Sequence, residues 1–478
     1  MKLPEQSERA TVDRCDAHPV ATRRAPRRRL AILALIFFTA LGVRLVNWHN
    51  NRWEAPAVQS SVVLNYKQQA RLIHANGLAS LYDRSSSTND PDLVGHPLGY
   101  PILLSFVYRV AESDAATQLL QMILDSLSAV LIALIAFELL PVAVGVIAGL
   151  LAAFAPQFSW NSILLLPDTL AAFPILLALL LVARACQPEG PHRAYRSRLL
   201  MILAAGALIG VSCWLRANAL LLAPFLALLL VFVGKRGQRL FPALGLVAGA
   251  CLVIAPLTIR NAAVFGEFIP VSLGAGQTLI EGISDYNTDG TLGLPQTDMD
   301  LIRGEAETFQ RPDYANSLFT PDGPARDRAR LRRGLAVIRE HPVWFFGVMV
   351  QRAGSMLRLE RTPLRLEHAD SGAWQLFRWP LRLAQKLFVT AVFLPLVLLG
   401  AGLLAAARQF RHLAILLAVP CYYFCTQSAL HTEYRYVLVI HYFLFVLAAL
   451  AVYTTGCAAV RRFRKATSAD YTDYAEKR

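Results

Sequence analysis

Asp168 opens an apolar run in LLLPDTLAAFPILLALLL, and Arg260 and Asn261 end another in APLTIRNAAVFGEFIPVS. His96 begins a third element, HPLGYP, between two hydrophobic stretches, while Arg216 and Arg435 flank further apolar runs. A carboxylate can take a proton, and an arginine keeps its charge at low dielectric and grips an oxyanion through paired N–H groups. Polar groups set repeatedly at one edge of hydrophobic segments imply a reaction site on one face of a bilayer, which a simple anchor does not need. Plainer roles stay open at each position. An interfacial Arg snorkels to headgroups, Asp168 caps a helix start, and His96 caps a re-entrant helix.

The elements that must position these groups are membrane helices. Of 478 residues, 55% are hydrophobic and 17% charged, and a mean hydropathy of +0.42 is too apolar for an ordinary soluble domain. The apolar content falls in runs near the ~20 residues that span a bilayer: 30–46, 116–139, 142–158, 169–185, 199–215, 219–233, 240–259, 387–407, 413–428 and 437–457. The expected fold is an all-α polytopic membrane protein with about ten transmembrane helices and external interfacial or re-entrant helices.

With ten crossings, the basic clusters at Arg23 to Arg29, Arg193/Arg196/Arg198, Lys235/Arg236/Arg239, Arg408/Arg411 and Arg461 to Lys465 share one side. The positive-inside rule makes that side cytoplasmic. Both termini are then cytoplasmic in a multi-pass plasma (inner) membrane protein, and Glu54, Asp168, Arg216, Arg260 and Arg435 face outward. The net charge of +14 reads as topology and contact with the lipid bilayer, not nucleic-acid binding. The N-terminal apolar run exits through VNWHNNRW without a small-residue cleavage site, so it reads as an uncleaved first helix. The seven cysteines avoid the long external loop, which argues against a disulfide framework. The expected divisions are a basic tail (1–29), a membrane module (30–259) with an external loop (48–115), a second external region (260–386), C-terminal transmembrane helices (387–457) and a cytoplasmic tail (458–478).

In the first external loop, Val62, Tyr66, Ala70 and Ile73 recur at helical spacing, predicting an amphipathic helix that Gly77 ends. The following GYPILLSFVYRV is too short to span and suits a re-entrant or interfacial helix. In the second region, RDRARLRRGLAVIRE reads as a charged helix and HPVWFFGVMVQRAGSMLRL as an amphipathic one at the interface. DYNTDGTLGLPQ echoes a calcium loop but has Gln296 at the last ligand position, so a turn held by Asx hydrogen bonds is expected and no metal site. Asp125 lies inside an apolar run, as a functional group or a helix-packing residue.

The first-loop helix around Tyr66 to Ala70, HPLGYPILL, LLLPDTLAAFPILLALLL, WLRANALLLAPF, APLTIRNAAVFGEFIPVS with GAGQTLIEG, REHPVWFFG and EYRYVLVIHYFLFVLAAL together resemble the GT-C class of membrane glycosyltransferases. The resemblance is to the bacterial branch related to protein O-mannosyltransferases and the lipid A aminoarabinose transferase. It spans residues 30 to about 457 in the family's order. It implies transfer of a sugar from a polyprenyl-phosphate donor to a protein, lipid or polysaccharide acceptor on the external face, with no cofactor.

Under that resemblance the leaving phosphate needs fixed cations or hydrogen-bond donors, with Arg260, His96, Arg216 and Arg435 as candidates. The acceptor hydroxyl needs a general base, which relatives carry as a carboxylate shortly before the Tyr…Ala helix. Here Val62 and Val63 stand there instead. Glu54, Asp92 and Asp90 are the candidates in that order, and Asp168 is a second acid orienting acceptor or base. The competing functions are a transporter or flippase of lipid-linked substrates, and a non-catalytic binder of lipid-linked sugars.

Overall fold

A computed structural model describes residues 24–90, 95–187, 195–233, 240–360 and 374–476, and these form helices joined by turns with no strand among them. Among the described residues, six helices are long and apolar enough to cross a membrane: α1 (Arg24–Asn51), α4 (Asp114–Leu139), α7 (Asp168–Ala185), α8 (Tyr195–Leu215), α10 (Leu240–Phe265) and the apolar first half of α18 (Leu438–Glu476). A seventh crossing results if α15 (Trp374–Gln385) and α16 (Thr390–Ala406), bent by 58°, act as one span. The expected number of about ten is therefore not met by length. The run 142–158 breaks into α5 (Val142–Phe154) and α6 (Pro156–Asn161), because Pro156 supplies no N–H to continue the first helix. The run 219–233 yields only α9 (Leu222–Val233), 12 residues or about 18 Å, and α17 (Phe410–Thr426) has 17 residues.

Small residues bring the helices together. A Cβ at Gly206 of α8 would lie 1.9 Å from the Leu246 carbonyl oxygen of α10, and one at Gly249 would lie 2.2 Å from that of Leu203. Close backbone approach of this kind holds membrane helices where no hydrophobic effect separates lipid from Leu. α18 runs through the centre, and most of Val437 to Ala451 is buried. Asp125 is paired inside this core. Its carboxylate takes the Arg44 Nε–H of α1 at 2.6 Å and the Tyr442 hydroxyl of α18 at 2.7 Å, and Tyr442 stacks on Phe158 at 3.8 Å. Arg44 also donates to the carbonyls of Ala40 and Ala153. Charges this deep persist only when paired and hydrogen-bonded.

The elements of the two long loops follow the sequence closely. α2 (Ser60–Asn76) buries Tyr66, Ala70 and Ile73 of the expected face and Val63 in place of Val62, which is only partly buried, and Gly77 caps it at φ 76°. α3 (Gly99–Tyr108) has 10 residues, about 15 Å, too short to span. α11 (Ala275–Ser284) and α12 (Asp298–Thr308) precede α13 (Gly323–Glu340) and α14 (Pro342–Met356), the charged and amphipathic helices. Glu305 of α12 gathers Arg326 at 2.9 Å and Arg330 at 2.6 Å from α13, and Asp327 accepts from the Gly276 and Gln277 amides at the start of α11. Arg352 of α14 ties this unit to the 427–433 turn by donating to the carbonyls of Ser428 and Gly282.

Candidate active site

The chain brings the start of α7, the end of α8 and the segment leading into α18 to one edge of the bundle. Asp168 is the first residue of α7, and the turn before it is held by polar side chains of α4. Gln118 Nε2 donates to the Ile163 carbonyl at 2.7 Å, and Gln121 Nε2 donates to Leu164 at 2.6 Å and Leu166 at 3.3 Å. The Tyr100 hydroxyl of α3 donates to Gln121 Oε1 at 3.0 Å, and Asn47 of α1 donates to the Ser159 carbonyl at 2.8 Å. The Ile163, Leu164 and Leu166 carbonyls of this non-helical turn are thus occupied, as backbone buried inside a membrane protein requires.

Arg216, in extended backbone just after α8, binds one oxygen of Asp168: Nη2 at 2.6 Å and Nε at 2.7 Å, both to Oδ1. Its guanidinium lies 4.2 Å from the Tyr436 ring centroid. Arg435, one residue earlier than Tyr436, stacks on the same ring at 5.1 Å and donates through Nη2 to Glu433 at 2.8 Å. The Arg435 side chain is 5% exposed, yet its Nε and Nη1 have no partner, nor does Asp168 Oδ2. These groups line a crevice continued by Ala171 and Ala172 of α7, Leu438 and Val439 of α18, and Tyr423. Its volume of about 10 Å³ is that of a single water site, so any larger group enters only as side chains part.

Two further residues close the site. His96 packs its ring 5.3 Å from Tyr66, whose ring meets Tyr100 at 5.0 Å. Burial first, then the charges of Arg216 and Arg435, pushes the His96 imidazole down to about 4, so it is neutral near pH 7. Burial likewise pushes the Tyr66 phenol up, keeping its proton in place as a donor. The 433–436 turn is tied to the first loop and α6, as Gln59 donates to Glu433 at 3.4 Å and Trp160 donates to the Tyr434 hydroxyl at 3.2 Å.

Four of the sequence candidates therefore meet: Asp168, Arg216, Arg435 and His96. Arg260 lies elsewhere, fully engaged with the first loop. It donates to the Leu81 carbonyl at 2.9 Å, to Asn261 Oδ1 at 2.8 Å and to Asn89 Oδ1. Asp90 is exposed and accepts from the Thr320 hydroxyl at 3.0 Å, linking the two long loops. Glu54 is partly exposed and precedes the short turn Ala55–Ala57, whose Ala55 packs in the same apolar cluster as Tyr66. Asp92 lies outside the described residues. Sequence reasoning did not single out Tyr436 or Glu433, although an aromatic and an acid flanking Arg435 in EYRYV were the available signal.

Comparison with known proteins bears on the fold. The family described as Dolichyl-phosphate-mannose-protein mannosyltransferase matches residues 95–259, about a third of the chain. That region contains His96, Asp168 and Arg216 and stops short of Arg260 and Arg435. None of the curated proteins matches in sequence. Among solved structures, the chain is similar to the archaeal oligosaccharyltransferase AglB from Archaeoglobus fulgidus in complex with an inhibitory peptide and a dolichol-phosphate. The TM-score is 0.53 at 18% identity, over 94% of this chain and 52% of that one. An Archaeoglobus fulgidus oligosaccharyltransferase in complex with Zn and sulfate gives 0.52 at 16% identity, over 90% and 50%. The chain spans about half the length of these structures, and the likeness is one of fold.

Proposed function

We propose that this chain, a multi-pass membrane protein with the fold of the GT-C glycosyltransferases, moves a sugar from a polyprenyl-phosphate donor to an acceptor hydroxyl on the external side of the membrane. The observation that carries the reading is Arg435, a buried guanidinium with two N–H groups unpartnered, beside the Arg216–Asp168 pair. Two cations at one edge of a helical bundle suit a lipid phosphate, whose charge grows as the sugar–oxygen bond breaks. The AglB structure is a complex with a dolichol-phosphate, which supports a lipid-phosphate donor here. An outward orientation for the site is supported by basic residues at the opposite end of α7, where Arg198 donates to the Ala185 carbonyl at 3.0 Å, because basic loops favour the cytoplasmic side.

In this reading Arg435 Nε and Nη1 bind phosphate oxygens, with Arg216 adding charge from its place on Asp168. Neutral His96 and protonated Tyr66 donate hydrogen bonds to the donor at the rim. Asp168 Oδ2 receives or orients the acceptor hydroxyl, since Oδ1 is committed to Arg216. Glu54 is the alternative proton acceptor, across the first-loop turn, and Arg260 is assigned a positioning role through the loop that carries Asn89. Transfer from a labelled polyprenyl-phosphate sugar by Asp168→Asn and Glu54→Gln proteins tests the assignment. Silence of Asp168→Asn with retained donor binding supports it, and silence of Glu54→Gln alone moves the proton to Glu54.

A further inference from the structure

The DYNTDGTLGLPQ segment takes no part in the crevice, yet it forms one wall of a separate cleft of about 380 Å³. This is within the ~300–1,000 Å³ of pockets that take small ligands. Tyr286 and Trp344, both half-buried, supply two aromatic surfaces, and Thr288, Asp289, Thr291 and His341 supply hydroxyl, carboxylate and imidazole groups around them. The wall is pre-formed. Asp289 Oδ1 accepts from the Thr291 amide at 3.2 Å and hydroxyl at 3.0 Å, and buried Asn287 takes the Gln296 amide on its carbonyl at 3.0 Å. This is the Asx-type turn expected from the sequence, and its hydroxyls and carboxylate stand at the cleft's edge.

The lining selects the ligand class. It includes neither Lys nor Arg among the described residues, so it does not suit a phosphate or other anion. It is too polar for a lipid tail. Aromatic faces with hydroxyl, carboxylate and imidazole groups around them fit a ligand with apolar C–H faces and a rim of hydroxyls. The cleft is also joined to the central site. Arg352 stacks on Tyr286 at 4.9 Å, Asp285 next to it takes His431 Nδ1 at 2.8 Å, and Glu433, two residues on, holds Arg435.

We propose that this cleft binds the saccharide portion of the acceptor, presenting it toward the crevice at Asp168 and Arg435. The inference rests on the sugar-transfer reading of the central site. The test uses the full chain in phosphatidylethanolamine/phosphatidylglycerol nanodiscs with glucose, galactose, mannose and N-acetylglucosamine methyl glycosides, read by saturation-transfer NMR on the sugar C–H protons. At least one sugar binds saturably to the native protein, also in the presence of excess polyprenyl phosphate. Trp344→Ala weakens that binding about tenfold or more, and His341→Ala, at an exposed position whose side chain makes no helix-cap hydrogen bond, weakens it too. A panel without a binder overturns the proposal, as does binding that survives both substitutions or is displaced by polyprenyl phosphate. Polyprenyl-phosphate binding, measured in the same nanodiscs, reports separately on the central site, so its failure strikes that reading and leaves the cleft's result standing.

Discussion

Replacing Arg435 by Ala removes the two N–H groups assigned to the donor phosphate, along with the contact to Glu433. A hydrogen bond to a charged group contributes about 1.5–3 kcal/mol, so two amount to about 3–6 kcal/mol. That corresponds to roughly 10²–10⁴-fold in donor affinity or turnover. Arg435→Lys keeps a charge without the fork and should lose about half of this free energy. Arg260→Ala is the contrasting case. It orphans the Leu81 carbonyl and the Asn89 and Asn261 side-chain oxygens, each at about 1–3 kcal/mol, so thermal stability falls while the folded fraction still binds donor. Native mass spectrometry of polyprenyl-phosphate binding, paired with thermal melts in detergent, separates the two. Arg435→Ala protein that binds donor like the native chain refutes the reasoning. So does an Arg260→Ala protein that loses binding with its melting temperature unchanged.

Asp125→Asn breaks the buried pair with Arg44 and should destabilise by about 3–5 kcal/mol, while Arg44→Met with Asp125→Leu recovers most of it in the same melts. Gln121→Leu leaves the Leu164 and Leu166 carbonyls without their donor; transfer should fall more than stability, because the turn that delivers Asp168 loosens. His96 titrates in the folded chain at about 4 against an ordinary 6.5. The unfolded chain therefore binds more protons between these values, and stability rises with pH across that window and levels off above it. The gain is no more than about 3 kcal/mol, and His96→Gln should flatten the melting-temperature profile between pH 4 and 6.5.

The helical class, the first-loop helix with its Gly77 cap, the short α3 and the pair α13/α14 were legible because each has a local cause in spacing or composition. The number of crossings was not. Hydropathy counts apolar residues, but whether a run stays one helix depends on breaks such as Pro156 and on length. Arg216, Arg435, Asp168 and His96 were legible as polar residues at the ends of apolar runs, although headgroup snorkelling and helix capping account for such residues as well. Arg260 looked the same from sequence. Its partners lie on residues 81 and 89, far off along the chain, and only the folded loop brings them to it. Asp125 showed the same limit, since its partner Arg44 sits 81 residues away and carries no local signal.

Cleavage of the sugar–phosphate bond is read most directly by reconstituting the purified chain in proteoliposomes with a polyprenyl-phosphate sugar labelled in both sugar and lipid. The two labels should part, leaving free polyprenyl phosphate and a glycosylated acceptor or, with water as acceptor, free sugar, and Arg435→Ala should abolish the separation. Donor that crosses the bilayer with both labels still joined would contradict it and identify a flippase instead.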